Sequence, residues 1–396
     1  MTIGLVFPGF AADESDWCIP AFTNLARVLA ARPDIELHIY TLRYPHRHAT
    51  YRLHGATVHA FGGAAVRGRR VRGASLGLLW ADFLASVARE HRRGPFALLH
   101  GFWATESGYL ATVAARRLGI PALVHLAGGE LAHLRAIGYG NQAPGLARLL
   151  VARSLRAATA ITVPSAYLQA QLAARYPQHL GKAVSWAPGV DTAMFVPADG
   201  RRQTADGSAR DTRLVQVASL IPVKDQAWLL AGLAAARAAE PAADLTLTLA
   251  GSGPLRGALQ QDAARLGIAQ AVRLVGAVDH GALPALYQAH DAFVLTSRHE
   301  AQCMAVLEAA SCGLPWVGPP VGALADLAPS DPPSGWSVPP GDVAALAAAM
   351  RAVADPAARG TRGTAAAGAV RAAYDLEGQA DLLLGLYRMI VAGDAH

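Results

Sequence analysis

The chain has 396 residues, 53% of them hydrophobic and 16% charged. This excludes a disordered polymer and, at about 100–200 residues per domain, predicts two domains. Its 35 Lys and Arg against 29 Asp and Glu leave a formal +6, and no run approaches the ~18 uninterrupted apolar residues of a membrane-spanning helix.

Three cysteines, Cys18, Cys303 and Cys312, are too few and too scattered for a disulfide framework or a zinc site. Met1–Phe10 lacks the basic start and cleavage site of a signal peptide, so a reducing cytoplasm is the expected compartment. From the start, strands and helices are predicted in alternation. Ile3–Phe7 reads as a buried strand closing on Pro8-Gly9, followed by a helix over Ala21–Ala31 and a strand over Glu36–Tyr40. Strands at Phe96–His100, Pro121–Leu126, Ala160–Val163 and Val184–Trp186 continue the series, with a helix near Ser107–Leu118. Residues 198–212 are polar, contain glycine and lack apolar periodicity, which predicts a linker.

The alternation then restarts. Strands are expected at Leu214–Ala218, Leu245–Ala250, Val272–Val275, Ala292–Leu295 and Trp316–Val317. Helices are expected at Asp225–Ala239, Pro254–Leu266, Leu283–His290, Cys303–Ser311 and Val343–Ala354, with a last helix over Leu376–Val391. Short buried strands alternating with helices of ~10–15 residues predict parallel sheets covered on both faces. Such sheets bind ligands beyond the carboxyl ends of their strands, so the loops after strands carry most weight.

Charge is uneven. Residues 1–197 hold 20 Lys and Arg against 10 Asp and Glu, a net of +10, whereas residues 198–396 hold 15 against 19, a net of −4. The basic residues gather at Arg43–His48, Arg67–Arg72 and His91–Arg93. Such a field favours an anionic acceptor or an anionic membrane carrying a lipid-linked one; the plainer alternative is a solvated arginine-rich surface. Nucleic acid is disfavoured, because the runs lack interleaved aromatics and no recognition module is visible.

Several residues can carry chemistry. Gly251-Ser252-Gly253-Pro254 follows a strand and opens a helix, a tight turn that lets a ligand approach the backbone. As a dinucleotide fingerprint it is weak, since the third glycine, Gly257, comes one residue late and no acidic residue ends the next strand. Glu300 and Glu308 stand eight residues apart at a helix start; a continuous helix would place them ~12 Å apart, the reach from a ribose to a sugar across a diphosphate. Two ordinary surface glutamates are the plainer reading. Lys224 is one of only two lysines among 35 basic residues, which suggests a need for a compact ammonium on a diphosphate. His100 closes an apolar run as a cleft-facing or a core histidine, and Asp13, Glu14 and Asp16 follow the first turn at Gly9. No residue pattern suggests a metal.

Read together, these residues resemble family-four retaining glycosyltransferases. Ser297-Arg298-His299-Glu300 through Glu308-Ala309-Ala310-Ser311-Cys312-Gly313-Leu314-Pro315 is similar to that family's E-x7-E element. Lys224, Gly251-Ser252-Gly253-Pro254, Gly189-Val190-Asp191 with Phe195 and Pro197, and Gly335-Trp336 through Gly341-Asp342 stand where the family has its other landmarks. Three positions depart from the pattern: Ser219 replaces an arginine five residues before the lysine, Ala127 replaces the histidine of a turn, and Pro188 replaces the usual asparagine before Gly189. Arg298 or Arg213 would then assist Lys224 at the diphosphate, and His100 or His125 would stand in for the missing histidine.

The resemblance implies a GT-B fold, two doubly wound Rossmann-like domains facing across a cleft. An acceptor-binding domain would span 1–197 and a nucleotide-sugar domain 213–375, joined by the 198–212 linker, with 376–396 as a helix crossing back to the first domain. It implies transfer of a sugar from a nucleoside diphosphate sugar to a hydroxyl acceptor with retention, without metal or cofactor, in the cytoplasm or at the inner membrane face. Glu300, Lys224 and His100 would be catalytic. Glu308, Lys224, Gly251, Gly253, Arg298 and Gly9 would bind the nucleotide sugar. The alternatives are a nucleotide-sugar 2-epimerase on the same fold and a non-catalytic two-lobe binding protein.

Overall fold

Strand and helix alternate along both halves of the chain in the computed structural model, which describes residues 1–63, 73–198, 211–241 and 244–393. The Arg67–Arg72 cluster and all of the expected linker but residues 198, 211 and 212 lie outside the described residues. Two compact units emerge: Met1–Pro164 with Leu168–Gly189 and Leu376–His396, and Val190–Asp375 with Ser165–Tyr167. The expected end of the first domain at 197 thus moves back to Gly189. Val190 pairs with Asp375, and Phe195 is buried beside Tyr287, so residues 190–197 pack with the second unit.

The first unit runs β1 (Thr2–Gly9), α1 (Pro20–Ala30), β2 (Glu36–Tyr44), β3 (His48–Leu53), β4 (Ala56–Phe61), α2 (Gly73–Arg93), β5 (Phe96–Phe102), α3 (Glu106–Leu118), β6 (Ala122–His125), α4 (Leu146–Ala157), β7 (Ala160–Val163), α5 (Ala166–Arg175) and β8 (Ala183–Ser185). Its eight-stranded sheet is ordered β3-β4-β2-β1-β5-β6-β7-β8 and is parallel except for β3. The β3–β4 hairpin was not expected. His54 and Gly55 make its turn, both at positive φ, and a His-Gly pair lacks the Asn-Gly or Asp-Gly signature of such turns.

The second unit contributes β9 (Asp211–Val217), α6 (Gln226–Ala239), β10 (Asp244–Ala250), α7 (Arg256–Arg265), β11 (Val272–Gly276), α8 (Leu283–Gln288), β12 (Ala292–Val294), α9 (Met304–Ser311), β13 (Trp316–Gly318), α10 (Leu324–Leu327), β14 (Gly335–Ser337), α11 (Val343–Ala352) and α12 (Pro356–Ala373). Residues 211 and 212 are therefore strand rather than linker. Its six strands are all parallel, in the order β11-β10-β9-β12-β13-β14. The order reverses between β9 and β12, and loops at such a switch point splay apart into a ready ligand site. In the first sheet the same reversal falls between β1 and β5.

α13 (Leu376–Ala392) belongs to the first unit. Leu376, Ala380, Leu383, Leu384, Tyr387 and Ile390 recur at helical spacing and are buried with Leu5, Phe7 and Phe102. Each such large apolar side chain contributes about 1.5–3 kcal/mol on burial. Trp186 Nε1 donates to the Gln379 carbonyl at 2.9 Å, fixing the helix's position along β8.

Candidate functional site

The switch point of the second sheet gathers three loops. The loop after β9 descends through Ser219 and a 3-10 turn, Pro222–Lys224, into Asp225 at φ 46°. The loop after β12 carries Ser297 to Cys303, and the turn after β10 carries Gly251 to Leu255. They are laced together. Leu220 N–H donates to the Ser252 carbonyl at 2.9 Å, Arg298 N–H to the Val223 carbonyl at 2.8 Å, and Thr296 Oγ1 to the Lys224 carbonyl at 3.0 Å.

Lys224 and Glu300 meet here. Lys224 Nζ lies 2.5 Å from Glu300 Oε1, with the two side chains 20% and 10% exposed. Ser297 Oγ donates to the same oxygen at 2.5 Å. Arg298 lies on the same loop, but its Nε is taken by Asp225 Oδ2 at 2.7 Å. Arg213 does not join the site: it sits near the amino end of β9, with its backbone N–H on Asp291, whereas Lys224 follows the carboxyl end.

Gly251 and Gly253 stand where the chain can carry no side chain. Gly251 has φ +145°, and a Cβ there would come 1.9 Å from the Ala218 carbonyl oxygen; one on Gly253 would come 2.3 Å from that of Leu220. Close approach of the β9 and β10 loops therefore demands both glycines.

Glu308 lies in α9, which begins only at Met304, after Cys303 at φ 75°. The two glutamates do not share one continuous helix, so the expected axial rise between them does not apply. Glu308 is buried. His280 Nε2 lies 3.3 Å from its Oε1, and Tyr287 Oη donates to its Oε2 at 3.1 Å. Burial and the neighbouring carboxylate push the Tyr287 phenol well above its ordinary value. Burial also raises the Cys303 thiol to about 12, with Glu300 adding to it, so it is a poor nucleophile at neutral pH. His280 and Tyr287 escaped the sequence reading. They stand 28 and 21 positions before Glu308, and no spacing rule joins them.

In the first unit the outcome differs. His100 is fully buried, its Nδ1 2.7 Å from Tyr387 Oη and its Nε2 3.4 Å from Thr162 Oγ1. Burial holds its pKa well below the ordinary value. The expected catalytic role gives way to a core histidine that α13 covers. His125 does not replace Ala127's missing imidazole either: it is buried on Thr162 Oγ1 at 3.0 Å, its pKa lowered to about 3 by burial. The Ala127 turn is instead held by Glu130. This fully buried carboxylate accepts from the backbone N–H groups of Ala104, Ala127 and Gly128 at 3.2, 3.0 and 2.7 Å. Gly9 ends β1 at the first sheet's switch point, where Phe10 N–H donates to the Tyr44 carbonyl. Asp16 accepts from Ala12 N–H and Tyr44 Oη, and Asp13 accepts from Ser15.

Two of the three basic clusters also change meaning. Arg43 grips Glu106 with two bonds of 2.8 and 2.7 Å, His48 meets Asp82 and Arg93 meets Glu90, so much of the expected field is compensated locally. Among the described residues, no group of three or more His, Cys, Asp or Glu is placed to hold a metal ion. No helix among them is long and apolar enough to cross a membrane.

Two doubly wound units with switch-point loops of this kind define the GT-B class of glycosyltransferases. The architecture is similar to a sucrose-phosphate synthase from Thermosynechococcus elongatus, with a TM-score of 0.75, 20% identity and 99% of both chains covered. It is likewise similar to Anabaena HepE solved in complex with UDP, with a TM-score of 0.71, 17% identity and 98% and 99% covered. Residues 211–355 match the family model "Glycosyl transferases group 1", and residues 21–194 match "Glycosyltransferase Family 4". A D-inositol 3-phosphate glycosyltransferase of Segniliparus rotundus is 32% identical over 337 residues, covering 79% of this chain and 71% of that one. Other relatives of that name are covered over 54, 58 and 62% of their length. The chain belongs to glycosyltransferase family four.

Proposed function

We propose that the second unit binds a nucleoside diphosphate sugar and that the enzyme transfers the sugar to a hydroxyl acceptor with retention and without a metal ion. The carrying observation is the Lys224–Glu300 pair at the β9/β12 switch point. A diphosphate leaving group develops negative charge, and a fixed ammonium beside loop amides stabilises it. Glu300 is the group to orient the donor sugar's hydroxyls, and Glu308 the group to hold the ribose. Structures of similar fold carry UDP, and HepE carries UDP with glucose, which supports a uridine diphosphate donor. The acceptor reading stays at the level of a hydroxyl compound, with the first unit as its place.

The test is incubation with a panel of nucleotide sugars, following free nucleoside diphosphate and the sugar's fate. Slow release of nucleoside diphosphate with an intact hexose supports transfer. An isomerised sugar would indicate the epimerase reading, and tight binding without turnover a binding protein. Retention is read from the anomeric configuration of the product by NMR.

A further inference from the structure

One group of arginines without an acidic partner lies where the sequence clusters did not point. A recess of about 430 Å³ in the first unit is lined by His133, Arg135, Gln142, Arg148, Arg175 and Tyr176, together with Pro144 and Ala174. Three guanidiniums share this wall, and none of the lining residues is acidic. They come from three segments: the loop after β6, the first turn of α4 and the last residue of α5. The side chains of Arg148 and Arg175 have no hydrogen bond or ion pair with any described residue. Arg43 of the same unit, by contrast, is matched by Glu106.

The recess is also organised. Arg135 Nε donates to His133 Nε2 at 3.1 Å, a contact that supplies no carboxylate to the guanidinium. Tyr176 Oη donates to Gln142 Oε1 at 3.0 Å, while the buried Gln142 amide donates to the Glu130 carbonyl at 2.5 Å. The polar floor is thereby held in one orientation. Arg148 stands at the amino end of α4, where the helix dipole already disfavours a cation; no acidic residue or side-chain cap offsets it. A recess lined by one sign of charge focuses its field on an anion, and guanidinium forks match phosphoryl oxygens in pairs.

We propose that this recess binds the phosphoryl group of an organophosphate, whether a free phosphate monoester or a lipid headgroup. All of its lining residues belong to the first unit, whereas Lys224 and Glu300 belong to the second, and the proposal does not depend on the transfer reaction.

The experiment titrates the full chain with glycerol 3-phosphate and with glycerol at constant ionic strength, using calorimetry and thermal shift. A second arm measures co-sedimentation with phosphatidylglycerol and phosphatidylcholine vesicles. Wild type is compared with Arg148→Ser/Arg175→Ser and with Arg148→Lys/Arg175→Lys. Saturable binding of glycerol 3-phosphate but not glycerol, weakened about tenfold or more in the serine variant and several-fold in the lysine variant, supports the site with a soluble source. The same pattern confined to phosphatidylglycerol vesicles supports it with a lipid source. The lysine variant keeps the charge and guards against a misfolded serine variant. Absence of saturable binding in both arms, binding unchanged in the serine variant, or equal binding by wild type and lysine variant overturns the proposal; the last outcome leaves only a diffuse field.

Discussion

Removing the ammonium of Lys224 should separate its structural and chemical roles. At 2.5 Å and an effective dielectric near 20, the Lys224–Glu300 attraction is about 7 kcal/mol before desolvation offsets most of it. Lys224→Ala leaves Glu300 with only 10% of its side chain exposed and Ser297 as its remaining donor. A carboxylate so stripped costs about 2–4 kcal/mol, which for a unit of this size lowers the melting temperature by about 5–12 °C. Lys224→Ala/Glu300→Gln removes the orphaned charge and should recover most of that loss. It should not recover turnover. With Ser219 where a second cation would stand, loss of Lys224 should slow nucleoside diphosphate release ~10²–10³-fold. Differential scanning fluorimetry reads the first effect and a coupled nucleotide-release assay the second. If Lys224→Ala melts and turns over like wild type, the pair is a surface contact and the reasoning fails.

Glu308→Ala should weaken nucleotide binding about ten- to a hundredfold by calorimetry, whereas Tyr287→Phe, which removes only the phenol bond to that carboxylate, should leave affinity within a few-fold. Gly251→Ala should destabilise the second unit by about 2–4 kcal/mol, because its Cβ meets the Ala218 carbonyl at 1.9 Å; Gly257→Ala, exposed in α7 with open space around it, should be neutral or slightly stabilising in the same urea titration. Burial depresses the folded-state pKa of His125 to about 3 and of His59 to about 4, below the ordinary unfolded value of ~6.5. Their contribution is present above pH ~6.5 and is lost as pH falls towards these values, by up to about 1.4 kcal/mol per pH unit and group. Urea midpoints should therefore drop between pH 7 and 5, and less so in His125→Gln; a flat profile would refute the assignment.

How much the sequence disclosed depended on whether a residue's partner was local. Strands β5, β7, β10 and β12 lie within two residues of their expected limits, because a short apolar run bounded by breakers has few other ways to be buried. Lys224 stood out through the scarcity of lysine, and the structure sets it on Glu300. His100 misled because a polar residue at a strand's carboxyl end looks ligand-facing. Its partner, Tyr387, is 287 residues away, on a helix whose docking no local pattern announces. The arginine recess was invisible for a related reason. Arg135, Arg148 and Arg175 are isolated in sequence, whereas the conspicuous run at Arg43–His48 is paired to Glu106 and Asp82.

The geometry around Glu300 leads to one more expectation, of unusual sign. Lys224 is the cation assigned to the leaving diphosphate, yet Glu300 holds it, with Oε1 also accepting from Ser297. An incoming diphosphate must compete with a carboxylate for that ammonium and bear its negative charge nearby. The donor sugar can offset this conflict by offering hydroxyls to Glu300, so the carboxylate trades an ammonium for hydrogen bonds. Free nucleoside diphosphate brings no sugar and meets the repulsion alone. Glu300→Gln removes the charge but keeps the shape, and should therefore bind free nucleoside diphosphate about three- to tenfold more tightly than wild type. Its turnover should fall, because a neutral amide orients the sugar less firmly. Isothermal titration with the nucleoside diphosphate, beside nucleotide-release kinetics, tests both halves on one preparation. Weaker nucleotide binding in Glu300→Gln would mean that Glu300 serves chiefly to position Lys224 for the diphosphate, and the assignment of this carboxylate to the sugar would have to be given up.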